Sequence, residues 1–225
     1  MKNGLAIIIP SKTIENLWHC VDALRAAGES ARVIVIDDFL PHEKDKVRVF
    51  ARRWENVDFI EGVKPFVFSR NMNLGILAAQ GADCILLNDD AMLKTPNGFS
   101  ALTNAVEEYP EYGILGAVTN VTGQRLQTPR GVGLREIPGL AFVCVLIPRK
   151  TLDTVGLLDE RFVTYGWEDN DYCHRVKLAG LKIGVHDNCY VDHGSLKSTF
   201  RGNPHAPGNI GPGREIFRQK WGFTP

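Results

Sequence analysis

The chain has 225 residues, 44% of them hydrophobic, with 26 basic and 26 acidic side chains. That is enough apolar material for one good core, and a net charge of zero removes any global pull toward nucleic acid or an anionic membrane. No apolar run approaches the roughly 20 residues of a membrane-spanning helix, and the first one is broken at Pro10, too early for a signal segment. The expectation is a cytoplasmic protein without an integral membrane segment. Five cysteines, Cys20, Cys84, Cys144, Cys173 and Cys189, are scattered through apolar stretches without C-x-x-C spacing, which reads as buried free thiols in a reducing compartment.

Residues 4–10 are a β-branched run suited to a strand buried on both faces, and Ser11-Lys12-Thr13 turns the chain. Leu17, Cys20, Val21, Leu24 and Ala27 follow at helical spacing, with Thr13 as N-cap and Gly28 as stop. A second strand at Arg32–Asp37 ends in the acidic pair Asp37-Asp38, a helix is expected over residues 42–54, and Val57–Glu61 is a third strand. Ser69 is placed to cap a helix running to Ala79, and residues 84–88 form a fourth strand. The alternation predicts an α/β fold with a mostly parallel central sheet flanked by helices. The turn after the first strand has no glycine, which excludes the dinucleotide-binding fingerprint and counts against sugar nucleotidyltransferases; no Gly-Lys-Ser/Thr exists for a phosphate-loop NTPase.

The fourth strand delivers Asn88-Asp89-Asp90, two carboxylates at the carboxyl end of a buried run, where open α/β sheets bind ligands and where Mg²⁺ or Mn²⁺ would find oxygen donors. Asp89 and Asp90 therefore read as a metal–diphosphate site. Beyond them come a helix at residues 99–109, a strand at 113–118, and a turn-rich segment at 119–138, either a surface hairpin or a loop carrying acceptor specificity. A strand at residues 139–147 and a short helix at Arg149–Val155 follow. Gly166-Trp167-Glu168-Asp169-Asn170-Asp171 then places three acids at a helix start. Capping explains one or two of them, and a carboxylate beside an aromatic pocket would accept a proton from an attacking hydroxyl. After short strands at residues 182–185 and 190–192, His193 ends its strand as Asp90 does, so both would meet one metal at the same sheet edge.

Ile7-Ile8-Ile9-Pro10-Ser11 with Val35-Ile36-Asp37-Asp38, Ser69-Arg70-Asn71 with Leu74-Gly75, residues 86–90, and residues 156–175 with His193 together resemble the inverting glycosyltransferases of family two, which have the GT-A (Rossmann-like) fold. The resemblance implies a nucleotide-sugar donor, a hydroxyl acceptor such as a glycan or lipid-linked glycan, and Mn²⁺ or Mg²⁺. It implies a donor-binding role for Pro10, Ser11, Arg70, Asn88 and Asp89, with Asp38 recognising the base, and a metal site at Asp90 and His193. Asp169 matches the catalytic base; Trp167, Glu168 and Asp171 are left for the acceptor, with Glu168 or Asp171 as the other candidates for base. A UDP-sugar is favoured, although Lys12-Thr13 and Phe39-Leu40 depart from the family pattern around the base and keep dTDP- or GDP-sugars open; a catalytically silent nucleotide- or glycan-binding protein is the rival of another class, and the joint presence of Asp90, Asp169 and His193 argues against it. The expected division is a domain at 1–193, nucleotide-binding to about residue 118 and acceptor-binding after it. Residues 194–225 would form a basic lid or tail in which Lys197 and Arg201 contact the diphosphate.

Overall fold

The computed structural model of the chain describes residues 4–39, 43, 46–47, 49, 52–164, 166–196 and 210–224. The first β-branched run forms β1 (Leu5–Ser11), and its two faces feed two layers of core: Ile7 and Ile9 on one side, Ala6 and Ile8 on the other, all at most 1% exposed. Such a strand must lie inside a sheet covered on both sides. β2 (Arg32–Asp37), β3 (Val57–Glu61) and β4 (Asp83–Leu87) run parallel in the order β3-β2-β1-β4. Helix α1 (Ile14–Ala26) covers the Ile7 face with Leu17, Cys20, Val21 and Leu24, and α2 (Phe68–Ala78) covers the Ile8 face with Met72 and Ile76. Gly75 sets how closely α2 packs, because a Cβ there would stand 2.3 Å from Ile8 Cγ2.

The remaining described elements are β5 (Met92–Leu93), α3 (Gly98–Glu108), β6 (Tyr112–Thr119), a 3₁₀ turn at Arg125–Gln127, β7 (Leu134–Glu136), β8 (Cys144–Ile147), α4 (Arg149–Val155), α5 (Glu168–Leu178), β9 (Lys182–Asp192) and α6 (Ile210–Trp221). The sheet continues β4-β8-β6-β9-β5, with β7 on β9. β8 is antiparallel to both β4 and β6, and those two reversals leave β6, and β9 parallel to it, pointing the same way as β4. The sheet is therefore parallel through its first half and mixed through its second. More to the point, β1, β2, β4, β6 and β9 all end at one edge, and β8 starts there.

Several local expectations shift. Thr13 occupies the N-cap of α1 and Gly28, at φ 86°, follows its last turn, but the Thr13 side chain makes no capping bond. Ser69 is not a cap: the N-cap of α2 is Val67, two residues earlier, leaving Ser69 fully buried in the first turn. The apolar run at residues 139–147 pairs only from Cys144, because Gln127 Oε1 accepts the Ala141 N–H (2.9 Å) and a tight Val143 N–H to Ala141 carbonyl bond (2.8 Å) bends the chain away from the sheet. The two short strands before His193 are one, β9, whose register on β6 jumps from Ala117↔His186 to Val118↔Tyr190. The polar break at Asp187-Asn188 is thus a bulge, anchored where Asp187 accepts the backbone N–H groups of Arg130 and Gly131. The segment at 119–138 is no hairpin of its own, since its β7 pairs with β9. Most of the helix expected over residues 42–54 lies outside the described residues. All five cysteines are buried and unpaired, and no described helix is long and apolar enough to cross a membrane.

Candidate active site

A cavity of about 910 Å³ lies at the edge where these strands end. The topology explains its walls: Pro10 and Lys12 come from the end of β1, Asp38 from β2, Asn88, Asp89 and Asp90 from β4, Val121 and Thr122 from beyond β6, and His193 from β9. The bend before β8 adds Ala141, Phe142 and Val143, and the start of α5 adds Gly166, Trp167, Glu168, Asp169 and Asn170.

Asp89 is turned back toward the fold. It accepts a hydrogen bond from Ser11 Oγ at 2.7 Å, and the Lys12 backbone and Asn16 side chain also hydrogen-bond to it. Burial outweighs these bonds and pushes its carboxyl up to about 7. Asp38 is 7% exposed; burial raises its carboxyl too, while Lys64 and Lys12 draw it down.

Asp90 and His193 face one another, with His193 Nε2 at 3.1 Å from Asp90 Oδ1, and the Asn88 side-chain amide is 3.5 Å from the same nitrogen. His193 Nδ1 lies 2.8 Å from the Val121 carbonyl, and its backbone N–H donates to Asn120 Oδ1 at 2.8 Å. A carbonyl only accepts, so Nδ1 carries the hydrogen and fixes the ring. Nε2 then meets a carboxylate oxygen as lone pair against lone pair unless a proton or a cation stands between them. A carboxylate with an imidazole oriented by a backbone carbonyl is a mixed oxygen and nitrogen donor set that would fit a divalent cation, the carboxylate favouring Mn²⁺ or Mg²⁺. Among the described residues no three His, Cys, Asp or Glu side chains gather to hold a metal ion, so Asp90 and His193 would supply only part of the ligands of a bound cation.

Across the cavity, Gly166 at φ 87° and Trp167 at φ 79° turn the chain into α5 through two consecutive left-handed residues. For a tryptophan this conformation costs about 1–3 kcal/mol and persists only where the surroundings enforce it. It places Glu168 and Asp169 together in the cavity wall at a helix start. Burial pushes both carboxyls up, and Asp169 adds to the rise at Glu168. Asp169 Oδ1 accepts the Asn170 backbone N–H at 2.7 Å, whereas Glu168 Oε2 is buried without a hydrogen-bond partner, as is Thr164 Oγ1 in the same wall.

Of the residues singled out in the sequence, Pro10, Asp38, Asn88, Asp89, Asp90, Trp167, Glu168, Asp169 and His193 line this one cavity. Three residues do not join them. Ser11 is buried behind Asp89 and holds it. Arg70 pairs with Glu160 at 3.6 Å, away from the cavity lining. Asp171, expected at the acceptor, is fully buried on the far side of α5, where Arg175 Nε, Lys220 Nζ and Trp221 Nε1 donate to it at 2.9, 2.7 and 2.8 Å. Lys197 and Arg201 lie outside the described residues. Sequence reasoning missed Asn16, Lys64, Phe142 and Thr164. Asn16, one turn into α1 beside the strand ends, carried a positional signal; Phe142 was hidden inside a run that read as strand.

A sequence profile described as Glycosyl transferase family 2 matches residues 6–152, well over half of the chain. The chain belongs to this family. The match spans β1 to β8 and enters α4, so it includes Asp38 and Asp90 but stops short of Asp169 and His193. Among solved structures, the chain is similar to one described as the crystal structure of GalNAc-T7 with UDP, GalNAc and Mn²⁺, at a TM-score of 0.72 and 13% identity over 85% of this chain and 44% of that one. That likeness establishes a GT-A fold. The uncharacterized protein y4gI of Sinorhizobium fredii (strain NBRC 101917 / NGR234) is 24% identical over 238 residues, covering 90% of this chain and 25% of its own length. The chain therefore spans a quarter of that relative and less than half of the solved neighbour.

Proposed function

We propose that this family 2 chain transfers a sugar from a nucleotide-diphosphate donor to an acceptor hydroxyl, with inversion at the anomeric carbon. The observation that carries the reading is the Asp90–His193 pair, 3.1 Å apart and locked in tautomer by the Val121 carbonyl, in the same cavity as the Glu168–Asp169 pair. Asp90 and His193 would hold Mn²⁺ or Mg²⁺, which when bound supplies Lewis-acid stabilisation of the departing diphosphate. Asp38 addresses the base and Asp89 the ribose or donor sugar. Asp169 takes the proton of the acceptor hydroxyl while the acceptor oxygen bonds to the anomeric carbon and the bond from that carbon to the diphosphate oxygen breaks. No covalent enzyme intermediate forms. The raised proton affinity of Asp169 suits a base, since a carboxylate of ordinary strength would hold the proton poorly near neutral pH. The solved neighbour carries UDP and Mn²⁺, which supports a uridine donor and Mn²⁺ for this chain. Lys197 and Arg201 are proposed as further diphosphate contacts.

The test is a panel of UDP-, GDP- and dTDP-sugars with and without Mn²⁺, reading release of nucleoside diphosphate to water or to candidate sugar acceptors. Release from one donor, lost without metal and in Asp90→Ala, is the expected result. Tight nucleotide binding with no release on any acceptor would instead favour a silent binding protein.

A further inference from the structure

The strained Gly166-Trp167 turn is held from behind by α6. Lys220 Nζ bridges two carboxylates, Asp159 Oδ2 and Asp171 Oδ1, each at 2.7 Å, and Trp221 Nε1 donates to the same Asp171 oxygen at 2.8 Å. Asp171 is fully buried, and its backbone N–H donates to the Trp167 carbonyl at 2.9 Å, so its position is felt at the turn. Phe217, fully buried on α6, packs against the Trp167 ring at 5.4 Å between centroids. Gly213 completes the contact: a Cβ there would stand 2.6 Å from the Gly166 carbonyl oxygen and 3.2 Å from Trp167 Cδ1. None of Gly213, Phe217, Lys220 or Trp221 lines the cavity.

We infer that Lys220 and Trp221, through Asp171, are positioning residues that hold the Gly166-Trp167-Glu168-Asp169 turn in its proton-accepting geometry, making α6 a working part of the acceptor side. This rests on the function proposed above. Glu168 and Asp169 follow the strained turn directly, so a small displacement of α6 moves the base relative to a bound acceptor, where a misplacement of about 1 Å costs on the order of 100-fold in rate. The donor side stands on the ends of β2, β4 and β9 and is unaffected.

The test combines kinetics with ¹⁹F NMR of the full chain labelled with 5-fluorotryptophan, which reports on its four tryptophans, Trp18, Trp54, Trp167 and Trp221. Trp167→Phe assigns the Trp167 line. In Lys220→Met and in Gly213→Ala the Trp167 line moves while those of Trp18 and Trp54, which pack edge to face at 4.7 Å on the α1 side, hold. In the same variants kcat falls about 100-fold with donor KM unchanged, and Lys220→Arg restores both readouts. An unmoved Trp167 line, an unchanged kcat, or a parallel loss of kcat and donor affinity overturns the inference. Should the unmodified chain turn over no donor, the proposed function fails, and the Trp167 line alone decides whether α6 holds the turn.

Discussion

On the proposed donor side, Asp38, Asp89 and Asp90 each follow a parallel strand, and the sheet's own hydrogen bonds bring them to one edge in register. On the proposed acceptor side, Glu168 and Asp169 open a helix after two left-handed residues and are backed by side-chain contacts with a helix far along the chain. One side is placed by backbone pairing and the other by packing. Backbone pairing tolerates change in the side chains it carries, so donor-side substitutions remove chemistry without disturbing shape. A turn held by packing is sensitive to residues that never touch substrate.

The largest expected effect is at the proposed base. Asp169→Asn lowers kcat by about 10²–10⁴-fold while leaving donor binding intact, measured by turnover beside calorimetric donor titration. Next comes Asp90→Ala, which lowers kcat/KM by about 10³-fold and makes nucleotide affinity indifferent to metal. The pair sharpens the comparison, because one loss appears only in turnover and the other in binding as well. The pH profile gives a third test. Asp169 must be ionised to accept a proton, and burial raises its pKa, so kcat falls with falling pH through a limb above the ordinary carboxylate range. A limb at the position of an exposed aspartate would mean that a different group is titrating.

Two further predictions are read in stability. Gly75→Ala forces a methyl to 2.3 Å from Ile8 Cγ2 and lowers stability by about 1–3 kcal/mol in chemical denaturation, with kcat unchanged at temperatures where the chain stays folded. The smallest is Glu168→Gln. Its carboxyl is raised by burial, so in the folded state it binds its proton more tightly than in the unfolded chain. The stability it contributes is complete below the unfolded pKa and is lost as pH rises through the folded one. The substitution therefore raises the thermal midpoint at about pH 8 and changes it less at about pH 5. A fall at the higher pH would show that the ionised carboxylate is stabilised by contacts of its own.

This contrast also governs what could be read from the sequence. A buried strand ending in acid, as in Leu86-Leu87-Asn88-Asp89-Asp90, carries its burial and its exposure in one stretch of text, so β1, β2 and β4 and the acids after them were legible. His193 was legible for the same reason, once β9 was known to run with β4. The departures came where tertiary contacts overrule local pattern. The chain leaves an apolar run at Ala141 because Gln127, 14 positions earlier, takes its N–H. Asp171 shares its motif with Asp169 but points to the opposite side of α5, toward Lys220, 49 positions later. Arg70 was expected near the nucleotide but pairs with Glu160, a partner set by the loop before α5 rather than by its own neighbours.

The central claim is that Asp90 and His193 join a metal to a nucleoside diphosphate in this cavity. It is tested most directly by titrating UDP, GDP and dTDP into the chain with and without Mn²⁺, alongside Asp90→Ala and His193→Ala. The account predicts that one nucleotide binds at least about tenfold more tightly with Mn²⁺, and that this gain disappears in both variants. Nucleotide affinity that is the same with and without metal, or a metal gain that survives both substitutions, would contradict it.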